Sequence, residues 1–430
     1  MKSKTNYRAP ERIIAKWIKV SASDRRLNNL NCLVIGSSGS GKTSNYTSVN
    51  ITNSNGESFI VTDSKLNLYN KHKKELIRKG YDVQLIDLCN ISNSSIGYNP
   101  LDFIRTKGKS GRAVTDDITE LAYLLASEEI HSKNEVFWEN AARQYIKCCL
   151  ALCFHILPDD EHDLTYIGRL LDSLGIPDEW NALIKEAYDD DPDCCEVRIN
   201  KQIEASRNAD KMTSSIIGIA QSAMNQFLFE NVSEIYRNPK RIRFSDLGER
   251  KSCVFINVPD HDQSKTAIVR LFFSQCIKSL LDHADSMKDS RLKVPVHLYC
   301  DDIGANFVIP HLPELLSITR SRGISISLML QSYSQLLSKY GEYDAETIVS
   351  NCAVTIFMGG QDLKSPRFIS ELANKPLEQI LGMPRDTEIV CIQGQSSVFA
   401  QKVFPEFFSN IEDNCSDSRS GYDSDYQGSF

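Results

Sequence analysis

The stretch GSSGSGKT, from Gly36 to Thr43, constrains the fold more than any other part of the chain. It matches G-x-x-x-x-G-K-[ST] and stands between a short apolar run, NCLVI at 31–35, and a polar stretch of helical character that starts at Lys42. Each position has a physical task. Gly36, Gly39 and Gly41 let the backbone curl, so that the N–H groups of Ser37, Ser38, Ser40 and their neighbours turn inward toward phosphate oxygens. The following helix adds the partial positive charge of its N-terminus. Lys42 reaches the β- and γ-phosphates, and the Thr43 hydroxyl is placed for Mg²⁺. A Gly/Ser turn that happens to carry a lysine is the alternative, and it does not account for the strand before the loop or the helix after it.

The surrounding pattern is that of a parallel α/β sheet. SFIVTD (58–63) and YDVQLIDL (81–88) are strand-like and are separated by a Lys/Glu-rich helix at 66–79. From residue 113 to about 230 the periodicity turns helical, as in DDITELAYLLASEEI, WENAARQYIKCCLALCFHI and TYIGRLLDSLG. Strand-like runs resume at SCVFINV (252–258), VPVHLYC (294–300), ISISLML (324–330), CAVTIFM (352–358) and TEIVCIQ (387–393). One sheet, begun before a helical insertion and completed after it, is the simplest account. The expected organisation is a basic segment at 1–27, the sheet domain at 28–112 and 246–411, an all-α domain at 113–245, and a Ser/Asp/Gly-rich disordered tail at 412–430.

The net charge of −7 excludes a generally basic nucleic-acid coat. Two basic clusters stand out, one at 2–26 that includes Arg8, Arg12, Lys16 and Lys19, and one formed by Arg237, Lys240, Arg241 and Arg243. Each is read either as a solvated face or as a polyanion contact. The 13 cysteines contain no C-x-x-C pair, so neither a zinc site nor a disulfide framework is expected. Several lie in apolar runs, which fits a reducing cytosol. The longest apolar run, CCLALCF at 148–154, is too short to span a bilayer, and no signal-peptide core is visible.

HLYCDDIGAN (297–306) ends an apolar run in two adjacent carboxylates. A phosphate loop needs an acid at the end of a neighbouring strand to hold the Mg²⁺ shell, and often a second to polarise the attacking water. Asp301 suits the first task and Asp302 the second, as general base. An N-cap or turn Asp pair is the alternative. The guanine signature N-K-x-D is missing, since ANKPL (373–377) lacks the Asp, so ATP is expected rather than GTP.

With these features, VTDSK (61–65), GYNPL (97–101), FWENAA (137–142), KMTSSIIGIAQSAM (211–224) and DDIGANFVIPHLPELLSITRSRGISISLMLQS (301–332) resemble, in order and spacing, the TraG/TraD-type coupling ATPases of conjugation and type IV secretion, relatives of the FtsK and HerA translocases. The resemblance covers about 28–405. It implies a RecA-like P-loop domain with a largely parallel central sheet interrupted by an all-α domain, ATP and Mg²⁺ as cofactors, and a ring, expected to be a hexamer when active and a monomer in isolation. It implies DNA, expected to be single-stranded, a relaxase, relaxosome or secreted protein, and inner-membrane secretion components as partners. By the same resemblance Gln331 senses the γ-phosphate. Arg320 reaches the neighbouring subunit's site, with Arg322 as a second candidate. A capping amide and surface ion pairs are the respective alternatives. The chain departs from the family at Asp302, where Glu is usual, and in TDSK, which lacks the usual Pro and Gly beside Asp63 and Lys65. The family normally begins with membrane-spanning helices, and none is read here. A soluble variant or an anchor supplied by a partner, at the cytoplasmic face of the membrane, is therefore expected. A nucleotide-switched substrate receptor with little hydrolysis and a generic FtsK/HerA-like translocase are the competing readings.

Overall fold

The fold is given by a computed structural model that describes residues 9–107, 112–126, 133–206, 210–259, 263–301 and 308–404. A hairpin of β1 (Glu11–Ala15) and β2 (Ile18–Ser21) precedes β3 (Cys32–Ile35). A π-helical turn, Lys42–Thr47, runs into α1 (Ser48–Asn53). β4 (Ser58–Thr62), α2 (Asn67–Arg78) and β5 (Asp82–Asp87) follow, then a short ladder of β6 (Thr106–Lys107) and β7 (Arg112–Ala113). Next come α3 (Thr115–Leu125), α4 (Lys133–Ile156), α5 (Leu164–Ser173), α6 (Pro177–Asp190), α7 (Cys195–Ser206), α8 (Asp210–Asn225), α9 (Val232–Tyr236) and α10 (Phe244–Glu249). The chain continues through β8 (Ser252–Asn257), α11 (Thr266–Ser286), β9 (Val296–Cys300), α12 (Leu312–Arg322), β10 (Ile324–Leu330) and α13 (Tyr333–Ser350). It closes with β11 (Val354–Phe357), α14 (Lys364–Ala373), α15 (Leu377–Leu381), β12 (Thr387–Ile392) and β13 (Val398–Gln401).

These elements form two compact units. The first comprises Met1–Glu57, His297–Ala305 and Ser325–Phe430. Its strands run in the order β13-β12-β11-β3-β10-β9. β3 is central and parallel to both neighbours, with Leu33 opposite Leu328 on one side and Thr355 on the other. β12 and β13 close this side with antiparallel pairings. Every residue of β3, β10 and β11 is buried, since a parallel strand covered on both faces has no solvent side; β3 is apolar throughout, and β10 and β11 carry only the small hydroxyls Ser325, Ser327 and Thr355 among apolar residues. The loop after β3 therefore leaves the middle of the sheet at the carboxyl ends of parallel strands, where open α/β sheets bind ligands.

The second unit comprises Ser58–Val296 and Asn306–Ile324. Its strands β4, β8 and β5 are parallel, with β8 between the others. Its helical part is centred on α4, whose Cys148, Cys149, Leu150 and Leu152 are fully buried and which packs against α3, α5, α7 and α8. The apolar run at 148–154 is thus a core helix, as its length predicts. Among the described residues, no helix is long and apolar enough to cross a membrane.

Arg12 departs from both readings of the N-terminal basic cluster. It is fully buried in β1 and makes a bidentate pair with Glu57 at 2.5 and 2.8 Å. Burial by itself would lower the guanidinium pKa, but the Glu57 carboxylate outweighs it and the net shift is upward. The second cluster is half consumed by internal pairing, Arg237 with Asp163 at 2.5 Å and Arg241 with Asp102 at 3.0 Å. The expected tail at 412–430 lies outside the described residues.

Candidate functional site

The phosphate loop begins as a continuation of the sheet. Gly36 N–H donates to the Leu330 carbonyl at the end of β10, and Ser37 N–H donates to the Gly359 carbonyl just past β11. The chain then curls through Gly39 and Gly41, both with positive φ (75° and 99°), where a side chain would be strained. Gly36 is needed for a different reason. A Cβ there would stand 2.4 Å from Ser40 Oγ and 3.0 Å from Met358 Cβ, so the loop closes tightly only over a hydrogen atom. Lys42 is buried, and its Nζ donates to the Gly36 carbonyl at 2.7 Å, at the base of the loop.

Thr43 Oγ1 donates to Asp301 Oδ2 at 2.6 Å. Asp301 directly follows β9, so the loop and the strand-end acid meet within the first unit, as the motif physics requires. A glycine cradle, a lysine at its base, and a hydroxyl paired with a carboxylate are the donor set that a nucleoside triphosphate and Mg²⁺ would need: amides and ammonium for phosphate oxygens, hard oxygens for the metal. The residues present fit both groups.

Buried polar contacts hold the pieces in register. Tyr46, on the π-turn after the loop, shares a 2.7 Å hydrogen bond with Ser327 on β10. Ser327 Oγ lies 2.8 Å from His297 Nε2 on β9, and Ser325 Oγ lies 2.7 Å from His297 Nδ1. Burial, assisted by the charge on Arg12, holds the His297 pKa far below its usual value, so the ring is neutral. The helix behind the loop, the strand beside it and the strand that presents Asp301 are thereby tied together through Tyr46, Ser327 and His297.

No sequence motif singles out Lys402. It follows β13, and its three N–H donors go to the carbonyls of Ser40 (3.1 Å), Met358 (2.8 Å) and Arg385 (2.8 Å). It therefore bolts the tip of the phosphate loop to the far end of the sheet. Burial lowers its pKa, and burial pushes the Glu388 carboxyl nearby up to about 8, with Lys402 pulling the other way. A lysine after a four-residue strand carries no sequence signal for this; its burial alone marks it.

The other expected residues are placed as follows. Gln331 is next to Leu330, the residue that accepts from Gly36, and its own N–H donates to Gln335 Oε1. Arg320 lies in α12 of the second unit, exposed, and among the described residues its side chain makes no hydrogen bond or ion pair. Arg322 pairs with Asp285 at 3.0 Å. Asp63 accepts from Tyr69 N–H at 2.8 Å and so serves the start of α2. Asp302 lies outside the described residues.

A family profile described as type IV secretory system conjugative DNA transfer matches residues 2–375. The chain belongs to this family. One relative is the type IV secretion system-coupling protein VirD4 of Bartonella henselae, 23% identical over 159 residues, a match covering 37% of this chain and 24% of the relative. The chain thus matches about a quarter of that protein's length. Among solved structures, the bacterial conjugative coupling protein TrwBΔN70 in complex with sulphate superposes with a TM-score of 0.63 at 14% identity, over 86% of this chain and 85% of that one. TrwB in complex with ADP and Mg²⁺ gives 0.61 at 15% identity, over 87% and 85%. This likeness establishes the RecA-like P-loop fold with its largely parallel sheet, and the family places the chain with the coupling proteins that its motifs resemble.

Proposed function

We propose that this chain is an ATP-hydrolysing coupling motor that recruits DNA, or DNA bound to protein, and moves it to a type IV secretion channel. The Thr43–Asp301 contact carries the reading, because it unites a phosphate loop with a strand-end acid in a member of this family. ATP with Mg²⁺, in keeping with the ADP and Mg²⁺ complex of the similar TrwB, would supply the phosphoanhydride bond and the Lewis acid. Lys42 leaves the Gly36 carbonyl to neutralise the β- and γ-phosphates. Thr43 and Asp301 hold the metal shell. Asp302 takes the proton of the attacking water, and Gln331 hydrogen-bonds the γ-phosphate. Arg320 from a neighbouring subunit stabilises transition-state charge, a contribution worth ~10³–10⁵ in rate where such a finger operates. Single-stranded DNA, a relaxase or secreted protein, inner-membrane secretion components and a hexameric ring complete the proposal, with the ring at the cytoplasmic face of the membrane.

The test is the ATPase rate against protein concentration, with and without single-stranded DNA. Wild type is expected to turn over faster as it assembles and when DNA is present. Lys42→Ala is expected to lose binding or turnover, and Asp302→Glu to keep or raise it. Nucleotide binding with background hydrolysis under every condition would replace the motor with a nucleotide-switched receptor.

A further inference from the structure

We propose that His155, Cys194 and Glu196 form a site for one divalent transition-metal ion of the zinc class in the helical part of the second unit. His155 is in the last turn of α4; Cys194 directly precedes α7, and Glu196 is in its first turn. One donor atom of each residue lies within 4.8 Å of the donors of the other two. Tetrahedral zinc with ordinary Zn–S, Zn–N and Zn–O bonds sets its ligand atoms roughly 3.4–3.6 Å apart. His155 Nδ1 and Glu196 are in direct contact and part to admit the ion, while the widest separation in the cluster closes by little more than ~1 Å. Cys194 and Glu196 are buried, and the His155 side chain is 10% exposed.

The flanking groups are arranged as a metal-bound imidazole requires. His155 Nδ1 faces the Glu196 carboxylate, and Nε2 lies 3.2 Å from Asp190 Oδ2 at the end of α6. Without metal, Nδ1–H donates to Glu196; with an ion bound, Nδ1 would give its lone pair to the metal while Nε2–H is donated to Asp190. A carboxylate behind the imidazole fixes the tautomer and raises ligand basicity. The Cys194 thiol, which donates to the Ala187 carbonyl at 3.9 Å, and the two carboxylates bring sulfur, nitrogen and oxygen donors together around one ring. A divalent cation balances the Cys194 thiolate and Glu196 carboxylate with Asp190 in the outer shell, and the mixed S, N, O donors suit zinc rather than Mg²⁺ or Ca²⁺. Three protein ligands leave a fourth position for water. The ion clamps α4 to α7, which already pack together. No C-x-x-C pair announces the site; the fold brings a lone histidine to the DCCE segment at 193–196.

The experiment is zinc and cobalt titration of the full chain, followed by gel filtration and elemental analysis. Wild type is expected to retain one zinc per chain, and its cobalt form to show a thiolate-to-metal charge-transfer band. Cys194→Ser and His155→Ala are expected to lose both. Asp190→Asn, which removes only the outer carboxylate, is expected to weaken zinc binding ~10–100-fold. Cys89→Ser, at an exposed thiol elsewhere, is expected to bind as wild type does. Wild-type protein with no thiolate band, or zinc retained equally by wild type and Cys194→Ser, overturns the site; the first outcome does not depend on any variant folding.

Discussion

Thr43 Oγ1 and Asp301 Oδ2 are 2.6 Å apart, across 258 positions of sequence. The bond is partly open to solvent, so its own contribution to stability is about 0.5–1.5 kcal/mol. Its value is positional, since it holds a hydroxyl and a carboxylate where one Mg²⁺ shell would use both. Thr43→Ala and Asp301→Asn are therefore expected to raise the Mg²⁺ concentration needed for half-maximal ATPase by ~10–100-fold. Their melting temperatures should stay near wild type. Mg²⁺ titrations of the rate, with parallel thermal melts, check this; an Asp301→Asn enzyme with the wild-type Mg²⁺ dependence would show that the carboxylate does not serve the metal.

Lys402 has all three donors engaged by backbone carbonyls, one of them in the phosphate loop. Lys402→Met keeps the stem and removes the donors, leaving the carbonyls to find water or go unpaired. We expect a loss of about 2–4 kcal/mol in stability. We also expect a rise of roughly tenfold in nucleotide Kd, because the loop tip loses a fixed support. Binding is measured well below the variant's melting temperature. If nucleotide affinity is then unchanged, Lys402 is structural only and does not position the loop.

Glu388 makes stability depend on pH. Its folded-state pKa of about 8 lies above the ordinary value of 4.5, with burial as the main cause. Between those values the folded chain holds a proton that the unfolded chain has released, so stability falls as pH rises through this window. Below the window both states are protonated, and above it both are ionised, so the slope ends. Denaturant unfolding at about pH 6 and about pH 9 should show wild type losing roughly 1–3 kcal/mol relative to Glu388→Gln, which cannot ionise. Lys402 is present in both proteins, so its own titration largely cancels. Parallel curves for the two proteins would mean that Glu388 is already ionised at the lower pH.

What the sequence disclosed follows from burial. β10 was readable to the residue, since ISISLML holds no charge, Gly or Pro and is buried along its whole length, as a covered parallel strand is. β13 was not, because VFAQ is four residues long and half-exposed or exposed throughout. The β1–β2 hairpin was hidden by charge: Arg12 points inward to Glu57, and a buried ion pair looks the same in sequence as a solvated one. In the site, Lys42, Thr43 and Asp301 were legible because phosphate and metal chemistry fix residue type and strand context together. Lys402 and His297 were not, since both work by being buried against groups from distant segments, and neither belongs to a spaced motif.

Arg320 was the first candidate for a residue acting on a neighbouring subunit and Arg322 the second, and the pairing of Arg322 with Asp285 sets them further apart. An arginine committed to a carboxylate of its own chain must break that pair before it can serve another. Arg320 is exposed and, among the described residues, makes no such pair. The expected consequence is complementation. Lys42→Ala has a dead site and an intact Arg320; Arg320→Ala has an intact site and no finger. Each alone should hydrolyse ATP at background. If the chain assembles as proposed, mixed assemblies place some intact sites beside an intact Arg320, so equimolar mixing should restore a fraction of wild-type turnover that varies with the mixing ratio, as ATPase assays across that ratio would report. A mixture as inactive as its components, while each variant still assembles, would mean that Arg320 does not act in trans.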